Sequence, residues 1–163
     1  MGRKPKVVLD TSSIISLAVI DQLEILHKLF AETIIPGAVW NELLRTDIPN
    51  IAKIKKVFKD CIREASDCTY LLPFVDEGEA EAIVLCRENE SDFLVIDDKK
   101  GRSIAAEMGI ECIGTLGILF EAKRKKLVYS LRDLFLSLLK NNRYYSRDLL
   151  NHLLDKAGEE RIK

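Results

Sequence analysis

Three short runs, Lys6–Leu9 (KVVL), Thr33–Ile35 (TII) and Phe93–Ile96 (FLVI), are almost wholly apolar and largely β-branched, without polar alternation. A strand that alternates has one wet face, whereas a strand that does not must be dry on both. Between the runs, apolar residues recur at helical spacing: Ile14, Leu17 and Ala18, then Leu23 to Phe30, Gly37 to Leu44, Ile51 to Lys59, and Asp76 to about Glu90. Short two-sided strands alternating with helices specify a parallel sheet covered by helices on both faces. The pattern continues with a helix over Arg102–Met108 stopped by Gly109, a strand at Cys112–Ile113 and a helix over Leu116–Lys125. Pro36 reads as the first position of its helix, and Tyr70–Leu72 reads as a further short strand. Two last helices are expected over Leu131–Leu139 and Ser146–Ala157, with Asn141-Asn142 as the break.

A chain of 163 residues fits one domain. With 47% hydrophobic and 31% charged residues it can bury a core and stay well solvated, which excludes disordered and disulfide-scaffold classes. No apolar run approaches the ~18 residues that a membrane span needs. The start, MGRKPKVVLD, lacks a signal-peptide layout, so a soluble cytoplasmic protein with no membrane partner is expected. The balance of 25 basic against 26 acidic residues argues against strong nonspecific nucleic-acid binding but leaves room for a local basic patch. Cys61, Cys68, Cys86 and Cys112 form no C-x-x-C, which gives a zinc site little support, although Cys61 and Cys68 could pair in a thermophile. A lone glutamine, Gln22, points weakly the same way.

Ligands of an open parallel sheet sit at the carboxyl ends of its strands. Two of the apolar runs end there in acids: Asp10 after KVVL, and Asp97-Asp98 after FLVI. Neighbouring strands would bring these carboxylates to one crevice, where they either raise each other's pKa or bind a cation. Oxygen-only ligation suits Mg²⁺ or Mn²⁺. Each acid also has a plain structural explanation. Asp10 can cap the helix after it, Asp97 and Asp98 can be turn residues, and Asp76-x-x-Glu79 has capping-box spacing. Glu81 lies roughly 200° around the helix from Glu79, so only one of the two can easily face the crevice.

The order of these blocks, Asp10 in VVLDTSSII, Glu42 in VWNELL, Glu79 in DEGEAEAI and the acids of LVIDD, resembles the PIN-domain family of metal-dependent nucleases. The nearest likeness is to a subgroup with a GEAEAI helix and a segment matched here by Ile96 to Asp98, Ala105, Gly109 and Gly114 to Leu119. The resemblance covers about residues 6–128 and extends to the helical tail. It implies a three-layer α/β/α sandwich with a central parallel sheet of four to five strands, comprising residues 1–128, with residues 129–163 as a helical extension packed on it. It further implies a pocket in which Asp10, Glu42, Glu79 and Asp98, with Asp97 close by, bind Mg²⁺ or Mn²⁺ and hydrolyse RNA. Relatives include toxin halves of toxin-antitoxin pairs, so RNA and a protein antitoxin are the implied partners. Two positions depart from the usual pattern: Glu79 stands where much of the family has Asp, and Ile96 where many relatives have Thr or Ser.

Other chemistries lack parts. His27 and His152 sit in helical stretches away from the acids and read as partly buried structural residues, which disfavours two-histidine catalysis. No nucleophile has a convincing Cys-His or Ser-His-Asp partner set, Gly114-Thr115-Leu116-Gly117 matches no phosphate loop, and Asp10 lacks the D-x-D spacing of a phosphotransferase. A water activated by the ion is therefore the expected nucleophile. Lys99, Lys100 and Arg102, or Lys123 to Lys126, could meet the substrate, and Tyr144-Tyr145, flanked by Arg143 and Arg147, could stack on bases or pack between helices. The rival reading is a catalytically degenerate PIN-like interaction module, favoured by Ile96 and the near-neutral charge. In the tail, Leu131, Leu134, Phe135, Leu138 and Leu139 form one apolar stripe, and Leu149, Leu150, Leu153 and Leu154 a second. They either cover their own domain or join a second subunit, and because relatives in the family commonly dimerise, a homodimer with the tail near the interface or the pocket mouth is expected.

Overall fold

A computed structural model describes residues 2–163. Strands β1 (Lys6–Leu9), β2 (Glu32–Pro36), β3 (Ile62–Arg63), β4 (Phe93–Val95) and β5 (Cys112–Ile113) form one sheet in the order β3-β2-β1-β4-β5. All pairings are parallel, with Val8 opposite Ile34 on one side and Leu94 on the other. The absence of polar alternation now has its cause. Val7, Leu9, Ile35 and Val95 point into one core, while Val8, Ile34, Leu94 and Ile96 point into the other.

The first core is covered by α1 (Thr11–Val19), α2 (Glu24–Leu29), α3 (Gly37–Arg45), α4 (Ile51–Phe58), α7 (Thr115–Arg124), α8 (Leu131–Lys140) and α9 (Arg147–Ala157). The second is covered by α5 (Glu77–Glu88), α6 (Lys99–Glu107) and a 3₁₀ turn at Thr69–Leu71. The result is a three-layer α/β/α sandwich. Among the described residues no helix is long and apolar enough to cross a membrane.

Several local expectations are corrected. Tyr70–Leu72 is not a strand: the Asp67 carboxylate accepts from Thr69 N (2.9 Å) and Thr69 Oγ1 (2.7 Å), starting a 3₁₀ turn instead. The edge strand is β3, whose two residues are too short to carry any periodicity. Pro36 closes β2 and occupies the cap position of α3 rather than its first turn. Helix α6 begins three residues before Arg102, because Asp98 caps it. The four cysteines are free thiols, and His27 and His152 are exposed.

Most of the two tail stripes packs on the chain's own first core. Leu131, Phe135, Leu138, Leu150 and Leu154 are fully buried in the cluster that contains Leu9 and Val95. The start of α8 is held from the far end of the tail: Glu159 accepts from the backbone N–H groups of Leu131 (2.9 Å) and Arg132 (2.8 Å) and pairs with Lys123 (3.1 Å). Phe135→Ala should therefore destabilise the whole fold by about 3–5 kcal/mol in urea titration. Leu149→Ala, at a side chain left 46% exposed, should cost under about 1 kcal/mol. Equal costs at the two positions would show that α8 does not share the sheet's core.

Candidate functional site

Strands β1 and β4 are neighbours, and their carboxyl ends are tied where Asp10 N donates to the Val95 carbonyl at 3.0 Å. Asp10 therefore lies beside the Asp97-Asp98 pair. Helix α3 brings Glu42 to the same place and α5 brings Glu79. Asp10, Glu42, Asp76, Glu79, Asp97 and Asp98 all line one cleft of about 410 Å³.

The structural explanations of Asp10 and of Asp76-x-x-Glu79 hold and coexist with the cleft, whereas Asp98 is a helix cap rather than a turn residue. Asp10 Oδ1 accepts from Ser13 N (3.0 Å) as the cap of α1, and Asp98 Oδ2 from Gly101 N (2.7 Å) as the cap of α6. Asp76 and Glu79 form the capping box of α5: Glu79 N donates to Asp76 Oδ1 at 2.8 Å and Asp76 N to Glu79 Oε2 at 3.2 Å. Glu42 Oε2 accepts from Thr11 Oγ1 at 2.7 Å. In Asp10, Glu42, Glu79 and Asp98 these bonds engage a single oxygen, so holding the scaffold and holding a ligand need not compete for the same atom.

Two pairs of nearby acids differ in placement. Glu79 faces the cleft, whereas Glu81 turns away and accepts from Ala38 N (2.7 Å), pinning the start of α3. Asp97 is engaged through both oxygens, by Thr115 N (2.8 Å), Thr115 Oγ1 (2.7 Å) and Tyr145 OH (2.9 Å). Asp97 is thus a strut between β4, α7 and the tail, and Asp98 is the acid with an oxygen to spare. Ile96, fully buried, packs in the second core beneath α6 and is not a wall of the cleft. A Cβ on Gly101 would meet Ile96 Cδ1 at 2.6 Å and Glu79 Oε1 at 3.2 Å. Glycine there lets α5 and α6 bring Glu79 and Asp98 together.

Burial and neighbouring charge make two of these acids, Asp10 and Glu79, reluctant anions. Asp10, only 5% exposed, has its pKa pushed up to about 7, first by burial and then by the charge of Asp97, against the lowering effect of its bonds from Ser13. Burial also raises Glu79, helped by the charges of Asp76, Asp98 and Glu42. Among the described residues, no three of these side chains are drawn together tightly enough to enclose an ion as they stand. The donors nonetheless fit a hard divalent cation: they are oxygen only, come from separate elements, and include two carboxylates whose anionic form a cation would stabilise.

Several residues of the cleft had no local signature. Thr11 orients Glu42 across the α1–α3 gap, and Asp76 doubles as cap and cleft wall. From the turn between α8 and α9, Arg143 reaches the cleft wall and Tyr145 reaches Asp97, with the Tyr145 phenol pushed up to about 12 by burial and the Asp97 charge. Tyr145 is thus a buried link rather than a stacking platform, while Tyr144 is 74% exposed.

No curated protein matches the chain. A family profile described as PIN domain matches residues 6–159, from the first residue of β1 to just beyond α9. That span takes in the sheet, every acid of the cleft and both tail helices, and the chain belongs to the PIN-domain family.

Proposed function

We propose that this chain is a metal-dependent endoribonuclease that hydrolyses RNA phosphodiester bonds at the acidic cleft, with Asp10, Glu42, Glu79 and Asp98 as ligands of Mg²⁺ or Mn²⁺. PIN domains are generally nucleases, and divalent-metal dependence is typical of them. The observation that carries the reading for this chain is the convergence of acids from four separate elements, two of which, Asp10 and Glu79, have their pKa raised by burial and by neighbouring carboxylates. A bound divalent cation supplies charge neutralisation at the scissile phosphate and activates water for the attack.

The chain's own residues do the rest. Thr11 fixes the rotamer of Glu42, Asp76 fixes Glu79, and the Ser13 and Gly101 amides fix Asp10 and Asp98. Lys99 and Lys100 stand in the first turn of α6, where the helix dipole disfavours cations. Beside an acidic cleft, that placement suits an anionic substrate. That Ile96 packs in the second core and does not line the cleft weakens one of the two features behind the degenerate-module reading, the other being the near-neutral charge. On the nuclease reading, the chain fits the toxin half of a toxin-antitoxin pair, with a protein antitoxin as partner.

Cleavage of a mixed set of RNAs should appear with Mg²⁺ or Mn²⁺ and vanish in EDTA, and persistence in EDTA would overturn the reading. Asp10→Asn should lower the rate by more than about a hundredfold, and Thr11→Val, which removes only an orienting partner, by ~10- to 100-fold.

Asp10 also sets a pH signature on the metal-free protein. Its folded pKa of about 7 lies above the ordinary 3.8, so between those values the folded state keeps a proton that the unfolded state has lost. Its contribution to stability is therefore fully present below about pH 4, is lost as the pH rises to about 7, and changes no further above that. Asp10→Asn stays neutral throughout. In EDTA, thermal melts should show the variant gaining on the parent across this window, by at most about 1.4 kcal/mol per pH unit. A constant difference between the two proteins would refute the assignment.

A further inference from the structure

We propose that Arg143, supplied by the turn between α8 and α9, is a phosphate-binding residue of the cleft that contacts the RNA backbone; this rests on the nuclease reading above. Arg143 lines the same cleft as Asp10, Asp97 and Asp98. Its Nε donates to Ser16 Oγ (2.9 Å), and its Nη2 donates to the Ser12 carbonyl (3.1 Å) and Ser12 Oγ (2.6 Å). Among the described residues Nη1 has no protein acceptor, and Arg143 forms no ion pair although six carboxylates share the cleft with it.

That combination separates a ligand-binding arginine from a structural one. An arginine that served only to pin the tail would gain most from a carboxylate, which would also relieve the repulsion between Asp10 and Asp97. Here neutral groups one helical turn apart on α1 hold the guanidinium, so its position is fixed and its charge is not cancelled. Tyr145, two residues on, bonds to Asp97 Oδ2 (2.9 Å) and lies 3.2 Å from Ser16 Oγ, which clamps the turn against both α1 and the end of β4. With Nε and Nη2 committed to α1, the two N–H donors of Nη1 remain to meet a phosphate's non-bridging oxygens. Acids alone would repel a phosphodiester. This arginine gives the cleft wall a fixed positive pole beside them.

The test is equilibrium binding of a labelled single-stranded RNA across about 50 to 200 mM salt, with Ca²⁺ in place of Mg²⁺ or Mn²⁺. Steady-state cleavage in Mn²⁺ and thermal melting are measured on the same proteins. Arg143→Ala should raise both Kd and KM roughly tenfold to a hundredfold, with a smaller change in kcat. The slope of log Kd against log salt should become shallower by about 0.7, the loss of one phosphate contact. Arg143→Lys should keep the slope and recover only part of the affinity, since it lacks the fork. A purely structural role would lower the melting temperature and leave Kd and the slope unchanged, and that result overturns the proposal. If Arg143→Ala does not fold, Arg143→Gln, which keeps a donor but no charge, carries the same slope test. A parent protein that neither binds nor cuts RNA defeats the nuclease reading and this proposal with it. A parent that cuts RNA while the Arg143 variants bind like it defeats this proposal alone.

Discussion

The bond from Asp10 N to the Val95 carbonyl is the last rung between β1 and β4, and the cleft is built outward from it. It sets two strand ends side by side, so that the next residue of one chain segment and the second and third of the other must be neighbours. Because the pairing is parallel, the helices that follow both strands begin at this edge, and their first turns require acceptors. Acids at these positions satisfy the helices, and their crowding follows from the topology. Helix starts attract carboxylates, and a parallel sheet collects helix starts.

The same economy explains why the site tolerates its own repulsion. A buried carboxylate with a pKa near 7 is a cost to the folded chain at neutral pH, and Asp10 carries that cost at the centre of the first core's rim. Around it the structure is heavily determined. Val7, Val8 and Leu9 are inaccessible to solvent, and the fully buried leucines of α8 and α9 lie in the same cluster as Leu9. The tail helices thus brace the sheet whose end holds the least comfortable residue.

The sheet was legible in the sequence because each strand residue packs into one of two cores, so KVVL and FLVI could not alternate. The acids were legible because they end those runs or open helices. Glu79 over Glu81 followed from helical geometry only once α3 was placed to receive Glu81. Short-range patterns failed where the chain answers to distant partners. β3 exists because Ile62 meets Ile35, and Tyr70–Leu72 became a 3₁₀ turn because Asp67 supplies a nearer acceptor than any strand could. Apart from the family resemblance, which favoured Asp98, nothing local told Asp97 from Asp98, since what separates them in the fold is Thr115 and Tyr145, residues 18 and 48 positions away from Asp97.

That long reach changes what the tail is for. Read locally, α8 and α9 are two amphipathic helices in search of a cover, and a second copy of the chain is the natural one. In the fold the cover is the domain's own first core, and its consequence is felt at the turn between the helices rather than on their outer faces. Leu138 and Leu150 are buried in the first core, and the turn between them, residues 141–146, crosses α1. There Arg143 meets Ser12 and Ser16, and Tyr145 meets Asp97. Ser12 and Ser16 lie on the helix that Asp10 caps, and Asp97 adjoins the residue that caps α6. The hydrophobic term that docks the tail therefore also sets Arg143 in the cleft wall, so packing far from the acids and the electrostatics beside them are consequences of the same burial.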